Sequence, residues 1–149
     1  MTPLHPSDML CFALYDAAHA MQQAYKPLLD PLGLTYPQYL LMSALWVRDD
    51  QTLTELGRQL HLESNTLTPL VKRLEAKGLI ARERDRADER QLRVRLTREG
   101  QALHAEAVRV PRCIRAETGL SDAALTELRA TLQALQARLR AAGMDEAVG

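Results

Sequence analysis

The feature that most constrains this chain is a change of period in its middle. After Thr52, apolar residues recur at helical spacing, first Leu53, Leu56 and Leu60, then Leu67, Leu70, Val71 and Leu74. Shortly after, Leu92, Val94 and Leu96 alternate with Arg93 and Arg95, the period of two of a half-buried strand. Thr52-Leu53-Thr54-Glu55 matches a capping box that opens the first short helix. His61-Leu62-Glu63 reads as a tight turn, and a second helix runs from about Ser64 to Lys77, where Gly78 ends it. Leu79 to Arg84 is the partner strand of the alternating segment, and Asp85 to Gln91 is the charged loop between them.

Two short helices joined by a tight turn and followed at once by an arginine-bearing hairpin form a winged helix-turn-helix. The expected fold is therefore mainly α, with this lobe over residues 48–98. Asp8 to Leu29 reads as a helix, with Asp8 as its cap and Pro27 placed to kink or stop it. Asp30-Pro31-Leu32-Gly33 is a break, a second helix runs from near Pro37 to Val47, and Arg48 to Gln51 is a loop. Beyond the hairpin, Thr97 caps a helix from Arg98 to about Glu117 that should bend at Pro111. Ser121 caps the last helix, in which Leu125, Leu128, Leu132, Leu135 and Leu139 make one apolar seam. The expected order is α-α-α-α-β-β-α-α within a single domain over 1–149. The helices over 8–30 and 98–142 are surplus to the lobe, and their seams point to N- and C-terminal dimerisation helices in a two-fold homodimer. Packing inside one subunit would leave the same leucine pattern.

Composition bounds the function. With 149 residues, 46% hydrophobic and 26% charged, the chain suits one globular domain rather than a disordered one. No run approaches ~18 apolar residues, so no membrane partner is expected. Met1 to Leu10 lacks a basic stretch followed by an apolar core, so the expected location is cytoplasmic and reducing. Cys11 and Cys113 are too few for a disulfide scaffold. His5, His19, His61 and His104 are not at paired ligand spacings, so no metal and no cofactor is expected. No Cys-His-Asn/Asp set, CxxC pair or phosphate-cradling glycine loop is present, which argues against an enzyme.

Net charge is zero, yet Lys72 to Arg98 holds ten basic residues against five acidic ones. Such a patch is the footprint expected for double-stranded DNA, although a solvated face has the same composition. Asn65, Thr66, Thr68, Pro69, Lys72, Arg73 and Ala76 fall on the outward face of the second helix, where small polar and long basic side chains can reach base edges and phosphates. Arg86 and Arg90 at the hairpin tip suit a narrow minor groove. A two-fold dimer would read an inverted-repeat operator with half-sites about one helical turn, or a small multiple, apart.

All six aromatic residues, Phe12, Tyr15, Tyr25, Tyr36, Tyr39 and Trp46, lie in the first third, near Cys11. On a helical wheel Tyr15 is one turn from Cys11, and Tyr25 returns to within roughly 40° of its azimuth. A tyrosine O–H donated to a thiolate favours the charged, reactive form. The bland alternative for Cys11 is a small buried hydrophobe.

The stretches Leu10-Cys11-Phe12-Ala13-Leu14-Tyr15, Tyr25-Lys26-Pro27-Leu28-Leu29 and Leu32-Gly33-Leu34-Thr35-Tyr36-Pro37-Gln38-Tyr39-Leu40 resemble the MarR family, and within it the organic-hydroperoxide-sensing repressors. Glu55-Leu56-Gly57, Leu62 to Leu70, Lys72-Arg73-Leu74-Glu75, Gly78-Leu79 and Asp88-Glu89-Arg90 extend the match. The resemblance implies a homodimeric repressor whose Cys11 is oxidised by organic hydroperoxide to a sulfenic acid, releasing the operator. It places two thiolate-binding tyrosines on Tyr25 and Tyr36, with Tyr15 near that pocket. Cys113 falls where two-cysteine members carry the residue that resolves the sulfenic acid as a disulfide across the dimer. Such a bond needs Cα atoms within about 7 Å, so its formation could move the helices and spoil the operator spacing. The resemblance also implies DNA contacts from Ser64, Asn65, Thr66, Thr68, Lys72 and Arg73, and from Arg90 oriented by Asp88. Asn65 departs from the glycine common in related sequences. The nearest alternative is a MarR-type repressor released by a small aromatic or phenolic ligand, with Cys11 inert. A thiol peroxidase and a purely structural helical dimer are the readings from other classes.

Overall fold

Side-chain caps set the helix boundaries. Thr52 Oγ1 accepts from the Glu55 N–H at 3.1 Å, and Glu55 Oε2 accepts from the Thr52 N–H at 3.0 Å. This closed box starts α3 (Leu53–Leu60). The same reciprocal pair between Thr35 and Gln38 starts α2 (Tyr36–Val47), with Pro37 in its first turn, where a missing N–H costs nothing. One such cap is worth about 1 kcal/mol. The recognition-type helix α4 (Ser64–Ala76) stops where Gly78 adopts φ +78°, a left-handed conformation that a side chain would oppose.

The computed structural model describes residues 1–148, and side chains for 1–143. A 3-10 turn (Pro6–Asp8) precedes α1 (Leu10–Leu29), and a second (Asp30–Leu32) follows it. After α2 come β1 (Gln51–Thr52), α3, α4, β2 (Ile80–Arg84) and β3 (Leu92–Leu96). Three helices follow: α5 (Arg98–Ala107), α6 (Val110–Thr118) and α7 (Asp122–Val148). The sheet is antiparallel in the order β1-β3-β2, with Val94 of β3 opposite both Gln51 and Arg82. This is a mainly α winged helix-turn-helix.

The chain divides into two compact units, Met1–Arg112 and Cys113–Gly149. In the first, Leu41, Met42 and Leu45 of α2, Leu56 of α3, Leu67, Val71 and Leu74 of α4, Ile80 and Val94 are essentially fully buried. Each aliphatic side chain so buried contributes about 1.5–3 kcal/mol of transfer free energy. The solvent-facing stripe of α4 is therefore fixed by its apolar opposite face. In the second unit, Ser121 Oγ accepts from the Ala124 N–H at 3.2 Å and caps α7. Leu125 and Leu135 are half-buried, whereas Leu128, Leu132 and Leu139 are exposed.

Three sequence expectations change. Asp8 does not cap α1: it ends a 3-10 turn in which its N–H donates to His5 O, and the extended residue before the helix is Met9. The segment read as a loop ends in strand β1, two residues long and thus too short to show alternation. The helix expected from Arg98 to Glu117 is two helices. A proline ring at 111 clashes with the carbonyl four residues back, at Ala107, so α5 stops there and Pro111 becomes the second residue of α6. Among the described residues no helix is long and apolar enough to cross a membrane.

Candidate nucleic-acid interface and thiol region

The turn between α3 and α4 depends on a missing side chain. A Cβ on Gly57 would lie 2.8 Å from Leu62 O, and the Leu62 N–H donates back to Gly57 O at 2.9 Å. His61 takes the left-handed conformation at φ 55°. This close approach seats α4 against α3. Leu67, Leu70, Val71 and Leu74 face inward, leaving Ser64, Asn65, Thr66, Pro69, Lys72, Arg73 and Ala76 exposed and Thr68 half-buried. Pro69 supplies no N–H to Asn65 O, one turn earlier.

The structure sorts the ten basic residues between Lys72 and Arg98. Five are occupied with the fold. Lys77 Nζ donates to Gly33 O and, at 2.8 Å, to Gln38 Oε1. Arg82 pairs with Glu75 at 3.0 Å, and Arg84 donates to Glu89 O at 2.9 Å. Arg93 pairs with Asp50 and Asp85, both at 2.8 Å, and Arg95 with Asp50 at 3.1 Å and Glu83 at 2.9 Å. Among the described residues, Lys72, Arg73, Arg86 and Arg98 have no ion-pair partner and face solvent. Arg90 is 95% exposed and leans on Asp88, its Nε 3.5 Å from Oδ1, while Asp88 Oδ1 accepts the Arg90 N–H at 3.1 Å. The free charge thus lies on the outer face of α4, at the hairpin tip and, with Arg98, at the start of α5.

Arg93, Asp50 and Asp85 were not singled out from the sequence. The alternation in β3 predicts Arg93 on the outer face, where it lies, with its guanidinium against two carboxylates. Hydrogen bonds from Arg93, helped by the Ala87 N–H, hold the Asp85 carboxyl below the usual range, and Arg93 with Arg95 does the same for Asp50. Asp50 itself sits at φ 58°. The acids flanking the two outer strands were the available signal.

The thiol region is divided. Cys11 is exposed near the start of α1, and Cys113 is half-buried on α6 in the second unit. Tyr25 and Tyr36 meet with ring centroids 5.0 Å apart, and Tyr39, not chosen from the sequence, joins them at 5.7 Å from Tyr25. Tyr39 also packs edge-on to Trp46, whose Nε1 donates to Gly100 O at 2.9 Å. Burial, then the neighbouring Tyr36 and Tyr39, pushes the Tyr25 phenol up to about 12, and burial raises Tyr36 and Tyr39. These phenols are protonated donors at neutral pH. Tyr15 is exposed and stacks on His19 instead, 6.4 Å between centroids. The wheel placed Cys11 and Tyr25 on nearly one azimuth, but fourteen residues of continuous helix rise about 21 Å. Cys11 and Tyr25 therefore lie toward opposite ends of α1, with Tyr36 of α2 beside Tyr25. Among the described residues, no group of three or more His, Cys, Asp or Glu side chains is placed to hold a metal ion.

A solvent-facing helix fixed on a helix-turn pair, with an arginine-tipped hairpin beside it, defines a winged helix-turn-helix DNA-binding protein. The family model for the transcriptional regulators SarA/Rot matches residues 23–107. An organic hydroperoxide resistance transcriptional regulator of Bacillus subtilis is 43% identical over 86% of this chain and 87% of its own length. Reduced AbfR of Staphylococcus epidermidis bound to DNA superposes with a TM-score of 0.75 at 38% identity, covering 89% of this chain and 94% of that one. Disulfide-formed AbfR superposes at 0.60 and 39% identity, covering 87% and 90%. The chain belongs to the MarR family of transcriptional regulators, in the branch of the organic hydroperoxide resistance regulators. It is a transcriptional regulator, and DNA is its partner.

Proposed function

We propose that the chain is a homodimeric cytoplasmic repressor that senses organic hydroperoxides through Cys11 and releases an inverted-repeat operator on oxidation. The observation that carries this reading is the split of the thiol region: an exposed thiol at one end of α1 and a pair of protonated phenols at the other. Two α1 helices running antiparallel across a two-fold axis would bring each Cys11 to the partner's tyrosines, which no single helix can do. Exposed Leu10 and Phe12 of α1 supply apolar surface for such a pairing.

In this reading Tyr25 and Tyr36 donate to the Cys11 thiolate, and Tyr15 borders the pocket. The thiolate attacks one peroxide oxygen, an S–O bond forms, the O–O bond breaks, and the alkoxide leaves as an alcohol after taking a proton. Cys113 of the partner subunit then attacks the sulfenic sulfur, forming S–S and releasing water. The B. subtilis relative's name and the existence of reduced and disulfide forms of AbfR support the redox assignment. Ser64, Asn65, Thr66, Thr68, Lys72 and Arg73 read the major groove, and Arg86 and Arg90, the latter held by Asp88, enter the minor groove. The test is a gel-shift titration on a duplex selected by the reduced protein from a random-sequence pool, with and without cumene hydroperoxide. Release by the wild type and none by Cys11→Ser is expected. Equal release by both would favour a ligand-responsive regulator with an inert Cys11, and steady peroxide turnover with a thiol reductant would favour a peroxidase.

A further inference from the structure

We propose that Arg93 is a positioning residue for DNA binding, bridging Asp50 and Asp85 across the sheet so that the wing arginine Arg90 is held at its reading angle. The proposal rests on the reading of Arg90 as a DNA contact.

Arg93 lies on β3, the middle strand, opposite Thr52 of β1 and Glu83 of β2. Its neighbour Val94 is fully buried, so Arg93 projects from the outer face. From there one guanidinium reaches both flanks of the sheet. Nε bonds Asp50 Oδ1, Nη2 donates to Asp50 O, and Nη1 bonds Asp85 Oδ2, each at 2.8 Å. Asp50 immediately precedes β1 and Asp85 immediately follows β2. The Asp85 side chain is only 15% exposed, so this pair is screened less than an open surface pair.

The other oxygen of Asp85 organises the tip. Oδ1 accepts the Ala87 N–H at 2.7 Å and the Asp88 N–H at 3.3 Å. The Asp85 N–H closes the loop on Gln91 O at 2.9 Å, and Asp88 holds Arg90 by its backbone N–H and its Nε. A continuous set of contacts therefore runs from β1 through Arg93 and Asp85 to Arg90. Without Arg93, Asp85 keeps its bonds to the tip N–H groups but loses its anchor to the sheet, so the tip must be positioned at the moment of binding, which weakens affinity. Lysine, a point charge without a fork, cannot bridge both carboxylates in this geometry.

The test measures affinity for the wild-type-selected duplex by fluorescence anisotropy across a salt series, for wild type, Arg93→Gln, Arg93→Lys, Arg90→Ala and the Arg93→Gln/Arg90→Ala pair. Circular dichroism checks that each variant folds. Arg93→Gln and Arg93→Lys should each weaken binding about three- to tenfold, and Arg90→Ala should lower the salt slope by about 1. The paired variant should bind no more weakly than Arg90→Ala alone, because the clamp acts through Arg90. Losses that add in full, or Arg93→Lys binding like wild type, would overturn the clamp while leaving Arg90 as a contact. Wild-type affinity and slope in Arg90→Ala would overturn the wing reading itself, and the clamp with it. Should Arg93→Gln fail to fold, Asp85→Asn paired with Arg90→Ala provides the same cycle.

Discussion

Tyr25 and Tyr36 lie ring against ring, 5.0 Å between centroids, where the end of α1 meets the start of α2. Cys11 sits about 21 Å away along the same helix. The sensor proposed above, if assembled from these three residues, needs two chains, and on that proposal the same requirement links oxidation chemistry to the geometry of the dimer.

The apolar seam of α7 should be part of that dimer. Leu128 and Leu132 are 46% and 39% exposed, a surplus of large apolar side chains on a helix whose other residues are mostly Ala and polar. Leu128→Asp with Leu132→Asp should yield a monomer by sedimentation equilibrium and weaken binding to a two-half-site duplex by more than about 100-fold, since two linked contacts become one. A stable dimer in that variant would assign the seam to packing within a subunit.

The Arg93 carboxylates set a pH window. Asp50 and Asp85 are held below the ordinary carboxyl range by Arg93, so they bind protons less readily folded than unfolded. Their contribution is fully present above the unfolded value of about 3.9 and is lost as pH falls through the lower folded values. The melting-temperature difference between wild type and Arg93→Gln should therefore stay constant from pH 8 to about 5 and shrink only below about 4. A difference that disappears near pH 6 would implicate a histidine instead.

Gly57 should tolerate no side chain. A methyl group there would meet Leu62 O at 2.8 Å, a backbone atom fixed by its own turn. Gly57→Ala should cost about 1–3 kcal/mol by urea denaturation, and weaken DNA binding further by tilting α4. An unchanged midpoint would mean that the turn yields without cost.

Much of this architecture is legible in the residues. The Thr52/Glu55 box, the Gly78 stop and the Asp85–Gln91 loop are local chemistry, written within a few positions of where they act. The Val108–Arg109 break is partly legible: Pro111 predicts a bend, and the clash of its ring with the Ala107 carbonyl turns that bend into a full stop. Strand β1 was not, because its identity comes from pairing with Val94 and Arg93, more than forty residues on. The basic patch misleads by composition alone: half of its charges are bound to acids or carbonyls that only the tertiary fold brings near. The wheel angle of Cys11 and Tyr25 was legible, but their axial separation decides whether they can meet.

The most direct measurement uses mixed dimers, built by co-expressing differently tagged Cys11→Ser and Tyr25→Phe chains. A dimer of two Tyr25→Phe chains should form sulfenic acid at Cys11 about tenfold more slowly than wild type, having lost one hydrogen bond to a charged sulfur. In the mixed dimer, the single remaining Cys11 faces an intact Tyr25 only if the tyrosine comes from the other chain. Oxidation of that Cys11 by cumene hydroperoxide at the wild-type rate, read by sulfenic-acid trapping, is the result this account predicts. Oxidation at the slow rate of the Tyr25→Phe homodimer would contradict it.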